Sequence, residues 1–334
     1  MNLLFKKLFF IVVLPYLLVI LSITIAIEIF PLYFFDEEIS YYLENYEYSR
    51  NKNKICTVLI MGDSTCKADL MPILLSNSTY NFSLGGASPI EEYYYLKEYL
   101  KYNLAPQYLL LSFSLDHFLW ANTFWTRSVY FHRLKFGDAK KILDDSLLFN
   151  ESVGIACDSP YLTLLSYYAY LPTRYTGILI GSLNELGHRY ERNAEIYKLA
   201  CRNRGQFYRE ESDGCSKLNG NTLLEHFRPS DYIDACFRKI IETCKLNKIK
   251  LVFIGTPINK TSYEYLRINK PNILKEYSDY LIKLSLEYPF ASIDTNLSYM
   301  DDKYFSDAAH LNAQGSKVFS LNIKNYILTC LTKD

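Results

Sequence analysis

The chain has no surplus of charge: 36 Lys and Arg balance 36 Asp and Glu over 334 residues. With nothing left over to neutralise phosphates, the sequence argues against a nucleic-acid groove, and no nucleic-acid partner is expected. None of the eight cysteines forms a C-x-x-C pair, and no histidine stands at metal spacing, which argues against a zinc site. A phosphate-cradling glycine loop is missing too. Gly85-Gly86 is too short for one, so a nucleotide-binding or glycosyltransferase reading lacks its main signal, and no cofactor is expected. Glycine and proline are sparse, 13 and 11, in a chain that is 49% hydrophobic and 16% aromatic, and that composition excludes disorder.

What is there begins with a run free of charge. Residues 8–27 hold 20 uncharged positions, with Lys6 and Lys7 before them and Asp36, Glu37 and Glu38 after. At the rise of an α-helix this is about 30 Å, one bilayer core. The lysines on the first side predict a single-pass signal anchor over residues 1–35, N terminus cytoplasmic, with the remainder extracytoplasmic, in the periplasm or at the cell surface. A cleaved signal peptide is the alternative, but Ser22-Ile23-Thr24-Ile25-Ala26 offers no small-x-small site. A buried soluble helix fits poorly, because the run is apolar all round. Export would permit disulfides, Cys201 with Cys215 being one candidate pair; buried free thiols are the other reading.

A polar, tyrosine-rich stretch at 36–54 reads as a connector to one domain at 55–334. Short apolar runs at 57–61, 80–84, 108–113, 250–255 and 291–294 read as strands, and helical spacing covers 89–102, 230–246, 272–287 and 313–331. Strands that alternate with helices and lack hairpin turns predict a mostly parallel, three-layer α/β sheet, with ligand chemistry beyond the carboxyl ends of the strands. The rhythm breaks at about 120–228, where helical patches at 162–171 and 177–186 and a polar region at 213–221 predict an inserted cap.

Two motifs sit at predicted strand ends. Gly62-Asp63-Ser64 follows the first strand, where a serine would project from the sheet edge next to amides able to hold an oxyanion. Taken alone, it equally reads as a β-turn with a capping serine. Near the other end, Asp307-Ala308-Ala309-His310-Leu311-Asn312-Ala313-Gln314-Gly315 precedes the final helix. Asp and His three residues apart on a tight loop can face each other, so the carboxylate orients the imidazole as a base, and a serine needs such a base to become nucleophilic. A polar helix cap at Asn312 is the plainer reading of that segment.

Together these blocks, with residues 81–86, resemble the SGNH/GDSL hydrolase superfamily. The resemblance implies a flavodoxin-like sandwich, Ser64 as nucleophile, Asp307 and His310 completing the triad, and oxyanion donors at Ser64 and at Gly85 or Gly86. The departure is at the family's third block, usually Gly-x-Asn-Asp. Here the third strand runs into Ser112-Phe113-Ser114-Leu115-Asp116-His117 without an asparagine, leaving the Ser114 hydroxyl as a candidate donor. Asp63 is a candidate substrate contact, and so are Asp116 and His117, for which a structural role is the stronger reading.

With an anchor and a domain outside the cytoplasm, the chain is similar to cell-envelope SGNH proteins that move acyl groups on surface polymers. The expected activity is therefore that of a serine esterase or O-acyltransferase on acyl esters, acetyl above all, of envelope glycans. The expected partners are an acyl-ester or glycan substrate, the membrane, and a membrane-bound acyltransferase. Trp120, Trp125 and Tyr130 are candidates for stacking on a sugar, or else core. The alternative function is a catalytically weak or inactive SGNH scaffold that binds a surface polymer or partner protein.

Overall fold

The computed structural model describes residues 7–52, 55–121, 123–151, 153, 159–169, 172–185 and 187–331. The chain enters through α1 (Phe9–Ile29), whose mean hydropathy of 2.8 and 21 residues make it long and apolar enough to cross a membrane. Of the two flanking lysines, Lys6 lies outside the described residues. Pro31 then opens a single turn, α2 (Pro31–Phe34), and α3 (Glu38–Arg50) follows. The expected connector is therefore corrected to a helix of the domain. Its tyrosines explain the difference: Ile39, Tyr41 and Tyr42 are buried in the main core, and Asn45 donates to the Phe82 carbonyl at 3.0 Å.

The domain is organised by β1 (Val58–Gly62), α4 (Ser64–Asp69), α5 (Pro72–Leu75), β2 (Thr79–Asn81), α6 (Pro89–Tyr102) and β3 (Tyr108–Ser112). Ser88 starts α6 with a capping box completed by Glu91, as Ser88-Pro89 predicts. The insertion is helical: α7 (Phe136–Leu148), α8 (Pro160–Tyr168), α9 (Pro172–Asn184) and α10 (His188–Arg202). The predicted helix ends at residues 171 and 186 lie outside the described residues. The chain then returns through α11 (Asp231–Leu246), β4 (Lys250–Phe253), β5 (Ile258–Asn259), α12 (Lys260–Asn269), α13 (Pro271–Glu287), β6 (Ser292–Ile293), β7 (Tyr299–Met300) and α14 (Ala313–Leu331).

The main sheet has five strands in the order β2-β1-β3-β4-β6, every pair parallel, which is the 2-1-3-4-5 order of a doubly wound sheet. Residues of one strand alternate between two cores. Leu59 and Met61 join Leu109, Leu111, Leu251 and Phe253 on the face covered by α6, α11 and α13, whereas Val58 and Ile60 join Leu110 and Val252 on the face covered by α4 and α14. Helix, sheet and helix thus form three layers. β2 ends earlier than its apolar run, yet Phe82 and Leu84 still donate to the Ile60 and Gly62 carbonyls, so Gly85 arrives beside the end of β1.

The insertion is not a detached cap. α10 packs along α3, where Ser40 Oγ donates to the Asn193 carbonyl at 2.8 Å, and Asn193 in turn donates to the carbonyls of Leu32 and Phe35. Cys201 and Cys215 are both free thiols, which removes the candidate disulfide; Cys157 lies outside the described residues.

Candidate active site

Gly62 ends β1 at φ 149°, and a Cβ there would run into the Ser112 carbonyl of β3, so glycine is required for the turn into α4. Asp63 caps α4, accepting from the Thr65 and Cys66 amides. Ser64 is the first residue of that helix and stands partly open at the sheet edge.

The second motif reaches Ser64 from the far end of the chain. Asp307 Oδ1 accepts from the Ala309 and His310 amides at 2.8 and 2.9 Å, which closes the tight loop. That loop is fastened to α4, because the Leu311 amide donates to the buried Asp69 at 2.9 Å. Asn312 does cap α14, accepting from the Gly315 amide at 2.9 Å, so the helix cap and the dyad coexist.

The result is a continuous line. Ser64 Oγ lies 3.2 Å from His310 Nε2, and His310 Nδ1 lies 3.0 and 3.1 Å from the two Asp307 oxygens. Nδ1 also lies 3.2 Å from the Arg209 guanidinium, which can only donate, but its two shorter contacts are to Asp307, which can only accept; they favour the proton on Nδ1 and leave Nε2 to accept from the serine hydroxyl. Partial burial works against the Asp307 charge, but the hydrogen bond and charge of His310, the Ala309 amide and Arg209 outweigh it and hold the carboxyl well below its usual range.

Two charged residues of the site gave no signal in the sequence. Arg209, from the insertion, donates to Asp307 Oδ2 at 2.6 Å and to Ser306 Oγ at 3.1 Å. Glu38, from α3, sits against Gly85 and pairs with Lys67 at 2.9 Å, while Arg127 donates to the Gly85 carbonyl at 2.7 Å. Burial disfavours the Glu38 charge, yet Lys67 and Arg127 more than compensate and lower its pKa.

The candidate oxyanion donors divide. Among the described residues, the amides of Ser64, Gly85 and Gly86 donate to no protein acceptor, and Gly86 holds φ 73°. Ser114 stands level with Ser64, both two residues beyond the paired Gly62 and Ser112, but its amide is committed to Asp63 Oδ2 at 2.7 Å. Ser114 also lines a crevice of about 10 Å³ shared with Thr65, Asn221, Thr256 and Ala309.

Asp63 is corrected as a substrate contact, and His117 takes the structural role that is the stronger of its two readings. Asp63 is fully buried and His117 nearly so, and Asp63 Oδ2 meets His117 Nδ1 at 2.7 Å. Burial opposes both charges, but each is held by the other: Asp63 is pulled well below its usual range and His117 is pushed up to about 9. Asp116 is a third of the way exposed, 3.9 Å from the His117 ring. Of the aromatic candidates, Trp125 is buried and donates to the Val153 carbonyl, and Tyr130 packs on Phe35 and Tyr167. Trp120 alone is exposed, at a cavity of about 430 Å³ that Arg228 and Asp231 also line.

The pair predicts an alkaline limit. A histidine whose folded pKa is raised contributes stability fully below its unfolded pKa of about 6.5, and that contribution is lost as pH rises through about 9. The melting temperature should fall across this window, and His117→Gln should flatten the fall. Equal slopes in the two proteins would show that the pair contributes nothing.

Neither a family model nor a curated protein matches this chain.

Proposed function

We propose that the chain is a membrane-anchored serine esterase or O-acyltransferase of the SGNH/GDSL type, acting outside the cytoplasm on acyl esters of envelope glycans. The observation that carries this reading is the unbroken line from Ser64 Oγ through His310 to Asp307. His310 Nε2 takes the serine proton as Ser64 Oγ attacks the ester carbonyl, and Asp307 stabilises the imidazolium that forms. The tetrahedral oxyanion is received by the free amides of Ser64 and of Gly85 or Gly86. Collapse releases the alcohol with the proton from His310 and leaves an acyl-serine. Water or a sugar hydroxyl, deprotonated by the same histidine, then takes the acyl group.

The scaffold reading draws on one observation, the absence of a side-chain amide at position 114. Losing one oxyanion donor costs about 100- to 1000-fold in rate, which slows a serine enzyme without disarming its nucleophile. A fluorophosphonate probe should therefore label the wild-type protein on Ser64 and leave Ser64→Ala unlabelled. A folded wild-type protein that takes no label would put the scaffold reading in front.

A further inference from the structure

The helices α8 and α9 do not stand clear of α1. Thr24 Oγ1 lies 3.4 Å from the carbonyl of Ala169, the residue that ends α8, and Glu28 pairs with His132, whose Nε2 lies 2.6 Å from the Tyr168 carbonyl. Ile27 is fully buried by the domain. The 21 residues of α1 rise about 31 Å, close to the roughly 30 Å of a bilayer core. Thr24 is five residues inside the end at Ile29, so Ala169 sits about 7 Å below that end. A domain resting above the bilayer would not reach this level.

The side chains agree with that depth. Leu162 and Leu165 on α8 and Ile180 and Leu183 on α9 are exposed, Leu183 by 68%. Between α2 and α9 runs a groove of about 570 Å³ lined by Phe30, Tyr33, Phe34, Leu179 and Leu183. At the end of α8 the Tyr168 carbonyl is met by His132 Nε2, while the Thr24 hydroxyl, which donates to the Ile20 carbonyl at 3.0 Å, lies against the Ala169 carbonyl. The attachment is also stiff. Ser182 Oγ donates to the Tyr33 carbonyl at 2.8 Å, Arg189 donates to the Phe34 carbonyl at 3.0 Å, and Tyr33 stacks on Tyr190.

We infer that α8 and α9 lie within the leaflet on the domain's side of the bilayer, and that a lipid acyl chain fills the groove between α2 and α9. The inference rests on the reading of α1 as a membrane anchor and goes beyond it, because it fixes the domain's orientation on the membrane. Only eight residues separate Ile29 from Glu38, which touches the site at Gly85, so this edge of the site lies within about 30 Å of the bilayer edge. An acyl donor or acceptor held at the membrane surface is within reach of such a site.

The test uses the full chain in nanodiscs made with phospholipids brominated at known depths along the acyl chain. Leu183→Trp and Leu162→Trp are read as the emission added to that of the two native tryptophans. Both should be blue-shifted and lose most of the added emission to bromines near the headgroup end. Leu18→Trp, in mid-helix, should be quenched by the deepest bromines, and Leu246→Trp, exposed at the end of α11, by none. If Leu18→Trp is quenched while Leu183→Trp and Leu162→Trp resemble Leu246→Trp, the domain stands off the membrane and the inference fails alone. If Leu18→Trp is not quenched, the anchor reading fails and takes the inference with it. A blue shift at Leu183→Trp without quenching would mean that a protein surface covers the patch, which also overturns the lipid assignment.

Discussion

Replacing Ser64 or His310 by alanine is expected to lower turnover of a small acetyl ester such as p-nitrophenyl acetate on the order of 10⁴-fold or more, to the level of the remaining oxyanion amides. The two groups act as a unit, so the double variant should be little slower than either single one. Asp307→Asn should cost comparably or less, because Asp307 orients the ring and stabilises its charge without exchanging the proton. None of these changes should unfold the protein. Ser64 Oγ has only His310 as a described partner, and both side chains stand at the open edge of the sheet. If Ser64 and Asp307 merely capped turns, alanine would instead cost about 1 kcal/mol of stability and leave any activity intact.

His117→Ala should have the largest effect on stability. It leaves the Asp63 carboxylate fully buried without its counter-charge, a change worth about 3–5 kcal/mol for a buried pair. Asp63 also caps α4 and holds the Ser114 amide, so Ser64 should shift and turnover should fall together with stability. Chemical denaturation in nanodiscs, with ester kinetics on the same samples, checks both. A His117→Ala protein as stable as the parent would mean that Asp63 finds another partner or sheds its charge by taking a proton.

Much of this arrangement was legible in the residues, for physical reasons that differ from place to place. β1, β3 and β4 are apolar runs without polar alternation, which is how strands covered on both faces must read. Asp307 and His310 were legible because three residues of a tight loop suffice to bring them together. By contrast, α3 carries few aliphatic residues and buries itself through tyrosines and short polar side chains, so no apolar stripe announced it. Glu38 and Arg209 reach the site from segments whose positions depend on that packing, and no local pattern marks them. Asp63 looked like a site residue because a carboxylate beside the motif serine can do chemistry. Burial decides otherwise, and it is a property of the assembled sheet.

Acylation of Ser64 is the step on which the proposed function stands. Its most direct test is to mix the protein with p-nitrophenyl acetate, quench in acid within the first turnover, and read the peptide that contains Ser64 by mass spectrometry. A single acetyl group on Ser64, absent from the His310→Ala protein and discharged when the wild-type protein is left to turn over, is the predicted result. Turnover that proceeds at full rate with no acetyl group ever found on Ser64 would contradict it.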